Sequence, residues 1–336
     1  MYVITNRNLK EDETGFDQFG DRVNEKGPHE LRVVRVAKKD RKWDVDILDE
    51  DEVKLTAKER EQLGLGADER ALPSHRAALD TAASMRSKKR NLLFYIHGFK
   101  NDMKAVAERC EKLEENFGVE VMAFSWPTDG GGWVESRYHS DKLDARASAG
   151  AVQRTLVKVK TLFGKLLSGT DFKVTLLTHS MGNYLYEQIM RTGEVYGHEH
   201  FFDNIVMVAP DCNNEDHAWW VNRIKPKSRL YITINEQDSI LGLSEQLHGA
   251  EQKERLGQHL LNLNSTSARY INFSDANRVF KEHAYFEDRA LKTKVVKQFF
   301  TIAFNGGKAA EEALGWDSFI GRLNFWRVQR VNQPGG

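Results

Sequence analysis

A serine that follows a short apolar run and precedes a helix-like segment is the residue of this sequence best suited to chemistry. Residues 174–177 form the apolar run, Ser180 follows within three residues, and a helix-compatible segment spans 184–190. Strand, serine and helix in direct succession are typical of a nucleophile elbow, whose strained turn exposes the serine hydroxyl for covalent catalysis. Small residues are expected two positions before and after such a serine, because the strand and helix backbones nearly touch. Gly182 meets this requirement, whereas Thr178, a larger but still small residue, replaces the glycine expected at the first position.

A nucleophilic serine in acyl transfer also needs amide donors that hold the developing oxyanion. The donor loop is predicted directly after the apolar run 92–96, where the sequence is His97-Gly98-Phe99. Gly98 allows the backbone to approach a substrate closely, because glycine has no Cβ. The predicted donors are the backbone N–H groups of Phe99 and of Met181, the residue after the serine.

The general base is predicted from chain order, since elbow enzymes place the acid and then the histidine after the serine. Three histidines, His248, His259 and His283, follow every candidate acid. The first two lie in a polar, helix-prone insertion between strands. His283 comes shortly after the last predicted strand, 270–273, and is therefore the predicted base.

The acid has two candidates, each at the end of a predicted strand. Asp238 follows the apolar run 230–234, and Asp211 follows the run 205–209. We favour Asp238, because the loop after the penultimate strand commonly supplies the acid. Asp211 remains the alternative acid, with helix capping or pocket lining as its other interpretations.

Several residues near these motifs are interpreted as lining the substrate pocket. Trp126, in Ser125-Trp126-Pro127, ends a strand on the same side of the sheet as the serine. The predicted lining residues are His97, Gly98, Trp126, His179 and Asp211.

Two further motifs suggest chemistry only superficially. Residues 130–132 are three glycines, but no Gly-Lys-Ser or Gly-Lys-Thr follows, so a phosphate-binding loop is rejected. His198-Glu199-His200 lacks a third ligand at metal spacing and is interpreted as surface. The sequence therefore predicts no metal and no organic cofactor.

Apolar segments without strict alternation, separated by helix-like segments, dominate the chain from Asn91 onward. Such strands indicate a mostly parallel sheet with helices on both faces. The predicted strands of this part span residues 92–96, 119–126, 172–178, 205–209, 230–234 and 270–273. The predicted helices span residues 102–116, 140–167, 181–193, 214–224 and 292–304.

One α/β domain over residues 1–305 is the simplest organisation. Within it, strands in residues 1–50 are expected to extend the sheet as antiparallel additions, and residues 90–305 form the catalytic part. Residues 306–336 are interpreted as a C-terminal extension. An apolar stripe in that extension, formed by Trp316, Phe319, Ile320 and Leu323, indicates core packing or contact with a partner or a lipid.

Composition excludes several classes of protein. The 336-residue chain has a formal net charge of zero, so no overall field attracts it to nucleic acid. No apolar run approaches the roughly 18 residues that a transmembrane helix needs. The N-terminus lacks the pattern of a signal peptide, and two distant cysteines do not form a disulfide framework. We therefore expect a cytoplasmic protein without a transmembrane segment or a nucleic-acid partner.

The ordered motifs resemble those of a bacterial family of unknown function within the α/β-hydrolase superfamily, over roughly residues 1–300. The shared motifs are Tyr2–Arg7, Phe94–Phe99, Ser125–Pro127, the Tyr138, Asp141 and Ser148 positions, His179–Asn183, Ala209–Asp211, Asp238 and His283–Tyr285. The resemblance implies an α/β-hydrolase fold and supports Ser180, Asp238 and His283 as a catalytic triad. It implies no substrate, because a fold does not fix function.

The predicted function is hydrolysis of a carboxylic ester of a small molecule or a lipid through an acyl-enzyme. Two alternatives stay open. One is a lipase or phospholipase that acts on membrane lipid, with the C-terminal extension in contact with the lipid. The other is a non-catalytic interaction module on a hydrolase scaffold.

Overall fold

A ten-stranded, mostly parallel β-sheet forms the centre of the computed structural model. The structure describes residues 1–28, 30–49, 53–128, 134–192, 197–247, 253–314 and 324–328. The strands are β1 (Tyr2–Thr5), β2 (Arg7–Leu9), β3 (Phe19–Val23), β4 (Arg32–Lys39), β5 (Lys42–Ile47), β6 (Leu92–Ile96), β7 (Glu120–Ser125), β8 (Val174–His179), β9 (Asn204–Val208), β10 (Arg229–Ile234), β11 (Ala268–Asn272) and β12 (Phe325–Arg327). Their order in the large sheet is β12-β11-β10-β9-β8-β6-β7-β1-β4-β5, and β2 pairs with β3 separately.

Helices connect most of the parallel strands. They are α1 (Ala57–Leu63), α2 (Pro73–Lys88), α3 (Met103–Phe117), α4 (Val134–Leu166), α5 (Met181–Arg191), α6 (His217–Val221), α7 (Ser239–Leu247) and α8 (Lys294–Phe304). A 3₁₀ turn spans Ala290–Lys292, and a π turn spans Ala310–Leu314. Helix α4 begins six residues before the predicted position, which brings Tyr138 and Asp141 into its first turns.

Strand β6 shows why the sheet is buried on both faces. All five of its residues are completely buried. Leu92, Phe94 and Ile96 belong to one hydrophobic core, and Leu93 and Tyr95 belong to the other, as the alternation of a strand requires.

Helices cover both faces of the sheet, which confirms the predicted arrangement of a mostly parallel sheet between helices. Buried residues of α2, α4, α5 and α6 belong to one core, and those of α3 and α8 belong to the other. Both cores contain side chains of the central strands, so the carboxyl ends of the strands are held in one rigid frame.

The N-terminal strands extend the sheet as predicted, but β1 differs in direction from the expectation. The ladders β1–β4 and β4–β5 are antiparallel, whereas β1 is parallel to β7, with Thr5 opposite Ser125. Only the tight hairpin between β4 and β5 requires an antiparallel pair. A long connection separates β1 from β7 in sequence, and such a connection permits parallel pairing.

Part of the C-terminal region belongs to the sheet. Strand β12 pairs in parallel with β11, and Phe325 and Trp326 are buried. The apolar stripe formed by Trp316, Phe319, Ile320 and Leu323 lies outside the described residues, as do Gly130–Gly132 and His248. Among the helices that the structure describes, none is long and apolar enough to cross a bilayer.

Candidate active site

Ser180 occupies a sharp turn between β8 and α5. Its φ and ψ angles are 54° and −125°, an unfavourable region for a residue with a side chain. The Ser180 amide donates to Val208 O on the neighbouring strand at 3.0 Å, which fixes the turn to the sheet. A turn of this shape places the hydroxyl beyond the carboxyl end of the central strand.

Two glycines allow the backbones around Ser180 to approach closely. A Cβ at Gly182 would lie 2.5 Å from His97 O and 2.8 Å from Ile96 O. A Cβ at Gly98 would lie 2.6 Å from Ser180 Cβ and 3.2 Å from Ser180 Oγ. Any larger residue at either position would therefore push the loop after β6 away from the serine.

Asn183 braces the turn, a role that sequence reasoning missed. Its side-chain amide donates to Thr178 O, Ser180 O and Val208 O at 3.1–3.2 Å. Its Oδ1 accepts a 2.6 Å hydrogen bond from the Thr178 hydroxyl. Thr178, which breaks the usual glycine pattern, thus uses its hydroxyl to hold Asn183. The only sequence signal was the place of Asn183 at the end of the serine motif.

His283 and Asp238 lie together at the carboxyl edge of the sheet. His283 Nδ1 is 2.7 Å from Asp238 Oδ2. The other carboxylate oxygen, Oδ1, accepts from the amides of Ile240 and Leu241 at 2.9 and 3.0 Å. These bonds orient the fully buried carboxylate, which accepts a hydrogen bond from His283 Nδ1–H and so places the ring proton on that nitrogen.

Asn235 ties together the two loops that carry this pair, and it too was missed. Its side-chain amide donates to Val279 O at 3.1 Å and Glu282 O at 2.8 Å. The loop after β10, which ends at Asp238, is therefore held against the segment that leads to His283.

His179 connects the pair with the serine turn. The ring of His179, the residue before Ser180, lies 4.7 Å from the ring of His283 between centroids. Burial, followed by the nearby His283, lowers the pKa of His179 well below its usual value. A neutral His179 adds no positive charge beside His283. Within the described residues, no hydrogen bond joins Ser180 Oγ to His283, and such contacts are often long before substrate binds.

Asp211, the alternative acid, lies in a separate buried network. Tyr138 donates to its Oδ2 at 2.8 Å, and Ser244 donates to its Oδ1 at 2.6 Å. Arg255 Nη1 forms an ion pair with Oδ1 at 3.6 Å. The Asp211 amide also donates to Ser180 O at 3.3 Å. Asp211 thus lies next to the serine, but its carboxylate is occupied by partners other than His283.

The two predicted oxyanion donors are the backbone amide of Phe99, in the loop after β6, and that of Met181, the first residue of α5. Within the described part of the chain, neither the Phe99 amide nor the Met181 amide donates a hydrogen bond to another residue. The Met181 amide also lies at the first turn of α5, where the helix dipole is positive. Both N–H groups therefore keep their hydrogen-bonding capacity within the described part of the chain.

The peptide between Gly98 and Phe99 is oriented by its carbonyl. Gly98 O accepts from His97 Nδ1 at 2.8 Å and from Asn101 Nδ2 at 3.2 Å. Because a peptide is planar and trans, a fixed carbonyl also fixes the direction of the Phe99 N–H. His97 Nε2 in turn accepts from the Trp126 amide at 3.1 Å, so the neutral ring carries its proton on Nδ1. Burial lowers the pKa of His97 well below its usual value, consistent with that neutral state.

Arg7 supports the same loop from the N-terminal strands, although its sequence motif gave no sign of this role. The buried guanidinium donates to Asn101 O at 2.6 Å, to Ser125 Oγ at 2.9 Å and to Thr128 O at 3.2 Å. The N-terminal part of the chain therefore contributes directly to the shape of the candidate site.

The metal-like motif is not a surface feature, contrary to the prediction. His198 and Glu199 are buried, while His200 is exposed. The His198 ring packs edge-on against Tyr186. Tyr186 lies on a different element, α5, so the local pattern could not reveal this contact. No group of three metal-ligating residue types suited to holding an ion occurs among the described residues.

Comparison with known proteins identifies a family. The sequence model described as alpha/beta hydrolase of unknown function (DUF900) matches residues 74–297, more than half of the chain. Among curated proteins, none matches the sequence significantly.

Solved structures with partial similarity include three lipid or ester hydrolases. Esterase PE8 is 14% identical, with a TM-score of 0.31, over 45% of this chain and 71% of that one. Aspergillus fumigatus lipase B is 14% identical, with a TM-score of 0.24, over 37% of this chain and 25% of that one. Phospholipase PlaB from Legionella pneumophila, in complex with thio-NAD, is 11% identical, with a TM-score of 0.24, over 58% of this chain and 40% of that one. The chain thus spans less than half the length of the last two proteins. TM-scores this low support no inference about the activity or substrate of this chain.

Proposed function

The chain belongs to the family of α/β hydrolases of unknown function (DUF900), and from that premise we propose that it cleaves a carboxylic ester through an acyl-enzyme. One observation carries the proposal. The hydrogen-bonded pair of His283 and Asp238 lies beside the strained turn that presents Ser180. A serine, a histidine and a buried carboxylate at one sheet edge, next to unoccupied amides, suit acyl transfer.

In the proposed acylation step, Ser180 Oγ attacks the ester carbonyl, and His283 Nε2 accepts the hydroxyl proton. Asp238 holds His283 by its Nδ1–H and stabilises the imidazolium that forms. The amides of Phe99 and Met181 donate to the oxyanion of the tetrahedral intermediate. The intermediate then collapses, and His283 returns the proton to the departing alcohol.

In the proposed deacylation step, the same groups act on water. His283 takes a proton from a water molecule, which attacks the acyl carbon bound to Ser180 Oγ. A second tetrahedral intermediate forms on the same amides and releases the carboxylic acid, while the proton returns to Ser180. Apart from the ester and water, every group that acts in this proposed cycle belongs to this chain.

The test is hydrolysis of short p-nitrophenyl esters by the wild type and by Ser180→Ala. We expect measurable turnover in the wild type and a loss of several orders of magnitude in the variant. Ser168→Ala is the matched control, because this serine is exposed in the turn after α4. A wild type that hydrolyses none of a series of acyl lengths would argue against esterase activity.

A lipid ester is the second candidate substrate, and exposed apolar side chains around the site favour it. Ile240 and Leu243 lie on α7, which begins directly after Asp238, and Phe280 lies three residues before His283. The exposed fractions of Ile240, Leu243 and Phe280 are 44%, 38% and 55%. Ser239 Oγ donates to Lys281 O at 3.2 Å, so the two segments adjoin. Apolar groups exposed together near a site are typical of contact with lipid or a partner.

Paired substrates distinguish a lipid esterase from one that acts on soluble esters. A triple variant, Ile240→Ser/Leu243→Ser/Phe280→Ser, should lose activity on phosphatidylcholine vesicles but keep its rate on p-nitrophenyl acetate. Leu261→Ser is a control, since Leu261 is similarly exposed on a different segment. Equal rates of the triple variant and the wild type on vesicles would exclude this role of the apolar side chains.

A further inference from the structure

A pocket of about 470 Å³ lies between α2, α4 and the N-terminal strands, and no residue of the candidate active site lines it. Its volume is in the range of small-molecule sites, ~300–1,000 Å³. Apolar side chains form much of its wall, among them Ile4, Val33, Ala78, Leu162 and Phe163. The pocket therefore offers a hydrophobic surface suited to a hydrocarbon chain or ring.

Three basic side chains line the same pocket. They are Arg32, Arg154 and Lys158, against one acid, Glu30. Within the described residues, none of the three bases lies within ion-pair distance of a carboxylate. Burial lowers the pKa values of Arg32 and Lys158, so water only partly solvates these charges. Arg32 and Lys158 are half-buried, Arg154 is exposed, and Glu30 is the negative charge that acts on Arg32. An anion in the pocket would further stabilise the two half-buried cations.

Two hydrogen-bond donors, on His75 and Lys158, face each other beside the pocket. His75 Nδ1 accepts from the Leu72 amide at 3.0 Å, so the neutral ring carries its proton on Nε2. That Nε2 lies 3.4 Å from Lys158 Nζ, which is also a donor. Two donors facing each other are better satisfied by an oxygen that accepts from both.

The N-terminal end of α2 adds to the same positive potential. Leu72, Pro73 and Ser74 line the pocket, and Pro73 is the first residue of this sixteen-residue helix. Pro73 has no N–H and the His75 amide donates to Leu72 O at 2.9 Å, so the Ser74 amide and the helix dipole are what favour an anion there. Apolar wall and positive rim together define a site for a molecule with one anionic end.

We propose that this pocket binds an aliphatic carboxylate, with its head group on Lys158, Arg154 and the first turn of α2 and its chain on the apolar wall. The site is separate from Ser180, and the proposal stands whether or not Ser180 is a nucleophile. Arg32 also donates to Arg7 O at 3.0 Å, which places the pocket next to the residue that supports the Phe99 loop.

Titration calorimetry of the full chain with dodecanoate, below its micelle concentration, tests the proposal. We expect one saturable site, and binding of 1-dodecanol weaker by roughly tenfold or more, because the alcohol lacks the charge. Arg154→Gln/Lys158→Gln should weaken dodecanoate binding by a similar factor. Lys294→Gln/Lys297→Gln is the matched control, because both lysines are exposed on α8 across the sheet.

A pocket-filling variant shows where the ligand binds. Ala78→Phe should abolish dodecanoate binding, because Ala78 is buried at the pocket wall. Binding that is unchanged in Ala78→Phe would place the ligand elsewhere and overturn the proposal. So would the absence of saturable binding, or equal affinity of the Arg154→Gln/Lys158→Gln variant. Circular dichroism of each variant verifies its fold; if Ala78→Phe unfolds, the double variant decides.

Discussion

His283 Nδ1 lies 2.7 Å from Asp238 Oδ2, and this contact separates two carboxylates that are otherwise alike. Asp211 also follows a parallel strand and also lies beside Ser180, but Tyr138 and Ser244 occupy its oxygens. The different hydrogen-bond partners of Asp238 and Asp211 indicate different roles for the two carboxylates. We propose that Asp238 orients the base and that Asp211 holds the helical elements around the serine in place.

Replacing each carboxylate by its amide tests that division. Asp238→Asn should lower kcat on p-nitrophenyl acetate by about 10⁴, because an amide does not hold the required tautomer of His283. Asp211→Asn should reduce kcat far less and should mainly lower the melting temperature, since it weakens the buried ion pair with Arg255. Steady-state kinetics and thermal unfolding of both variants provide the measurements. A larger kinetic loss in Asp211→Asn would reverse the assignment.

A methyl group at position 98 should disrupt the proposed oxyanion site. In Gly98→Ala, the added Cβ would lie 2.6 Å from Ser180 Cβ and 2.9 Å from His179 O, so the Phe99 loop must shift. Loss of one donor typically lowers kcat by about 10²–10³. Gly164→Ala, in helix α4 with open space around it, is the control and should keep full activity. Normal kcat in Gly98→Ala would mean that the loop does not hold the oxyanion.

The brace formed by Asn183 gives a prediction about stability. Asn183→Asp replaces a donor to three carbonyls by a buried acceptor, which should cost roughly 3 kcal/mol of unfolding free energy. Asn222→Asp is the matched control, because Asn222 uses its Oδ1 as an acceptor from Ser265 and Thr266, and aspartate retains that oxygen. Urea unfolding of both variants is the measurement. Equal unfolding free energies of Asn183→Asp and Asn222→Asp would show that the three hydrogen bonds donated by Asn183 do not stabilise the turn.

Asp141, close to the Phe99 loop, predicts a pH-dependent stability. Burial, followed by the nearby Asp144, raises the pKa of Asp141 to about 7. The folded protein therefore holds a proton that the unfolded chain releases near pH ~4, and the wild type should lose stability as pH rises from about 4 to 7. Asp141→Asn has no carboxyl group to titrate at this position. Its free energy of unfolding should therefore exceed that of the wild type by about 2 kcal/mol at pH ~8 and equal it near pH ~4.

Melting curves of both proteins at several pH values test this expectation. Asp144 titrates in a similar range, since burial raises its pKa to about 6, so some slope should remain in Asp141→Asn. A difference between the two proteins that stays constant with pH would contradict the raised pKa of Asp141.

The parts of the fold that sequence patterns predicted are those with local signals. The apolar runs of β6 and β8 are buried on both faces, as continuous apolar strands predict. The turn from β8 through Ser180 to α5 follows from a serine with a glycine two residues later. Chain order left Asp238 and Asp211 as candidate partners of His283, and the position of Asp238 after the penultimate predicted strand favoured it. The structure places Asp238 Oδ2 2.7 Å from His283 Nδ1.

The parts that escaped prediction depend on contacts between distant residues. Arg7 donates to Asn101 O, ninety-four positions away, and nothing in the sequence near either residue records that contact. Strand β1 was expected to be antiparallel, but its direction relative to β7 is set by the path of the intervening chain. Burial of His198 and Glu199 likewise depends on neighbours that packing, rather than local pattern, supplies.

The central claim is that Ser180 is the nucleophile, and covalent labelling tests it most directly. A fluorophosphonate should modify the wild-type chain at one site, and mass spectrometry should locate the adduct in the peptide that contains Ser180. Ser180→Ala should not be labelled, whereas Ser168→Ala should be labelled like the wild type. An unlabelled wild type, or an adduct on another residue, would contradict the proposed function.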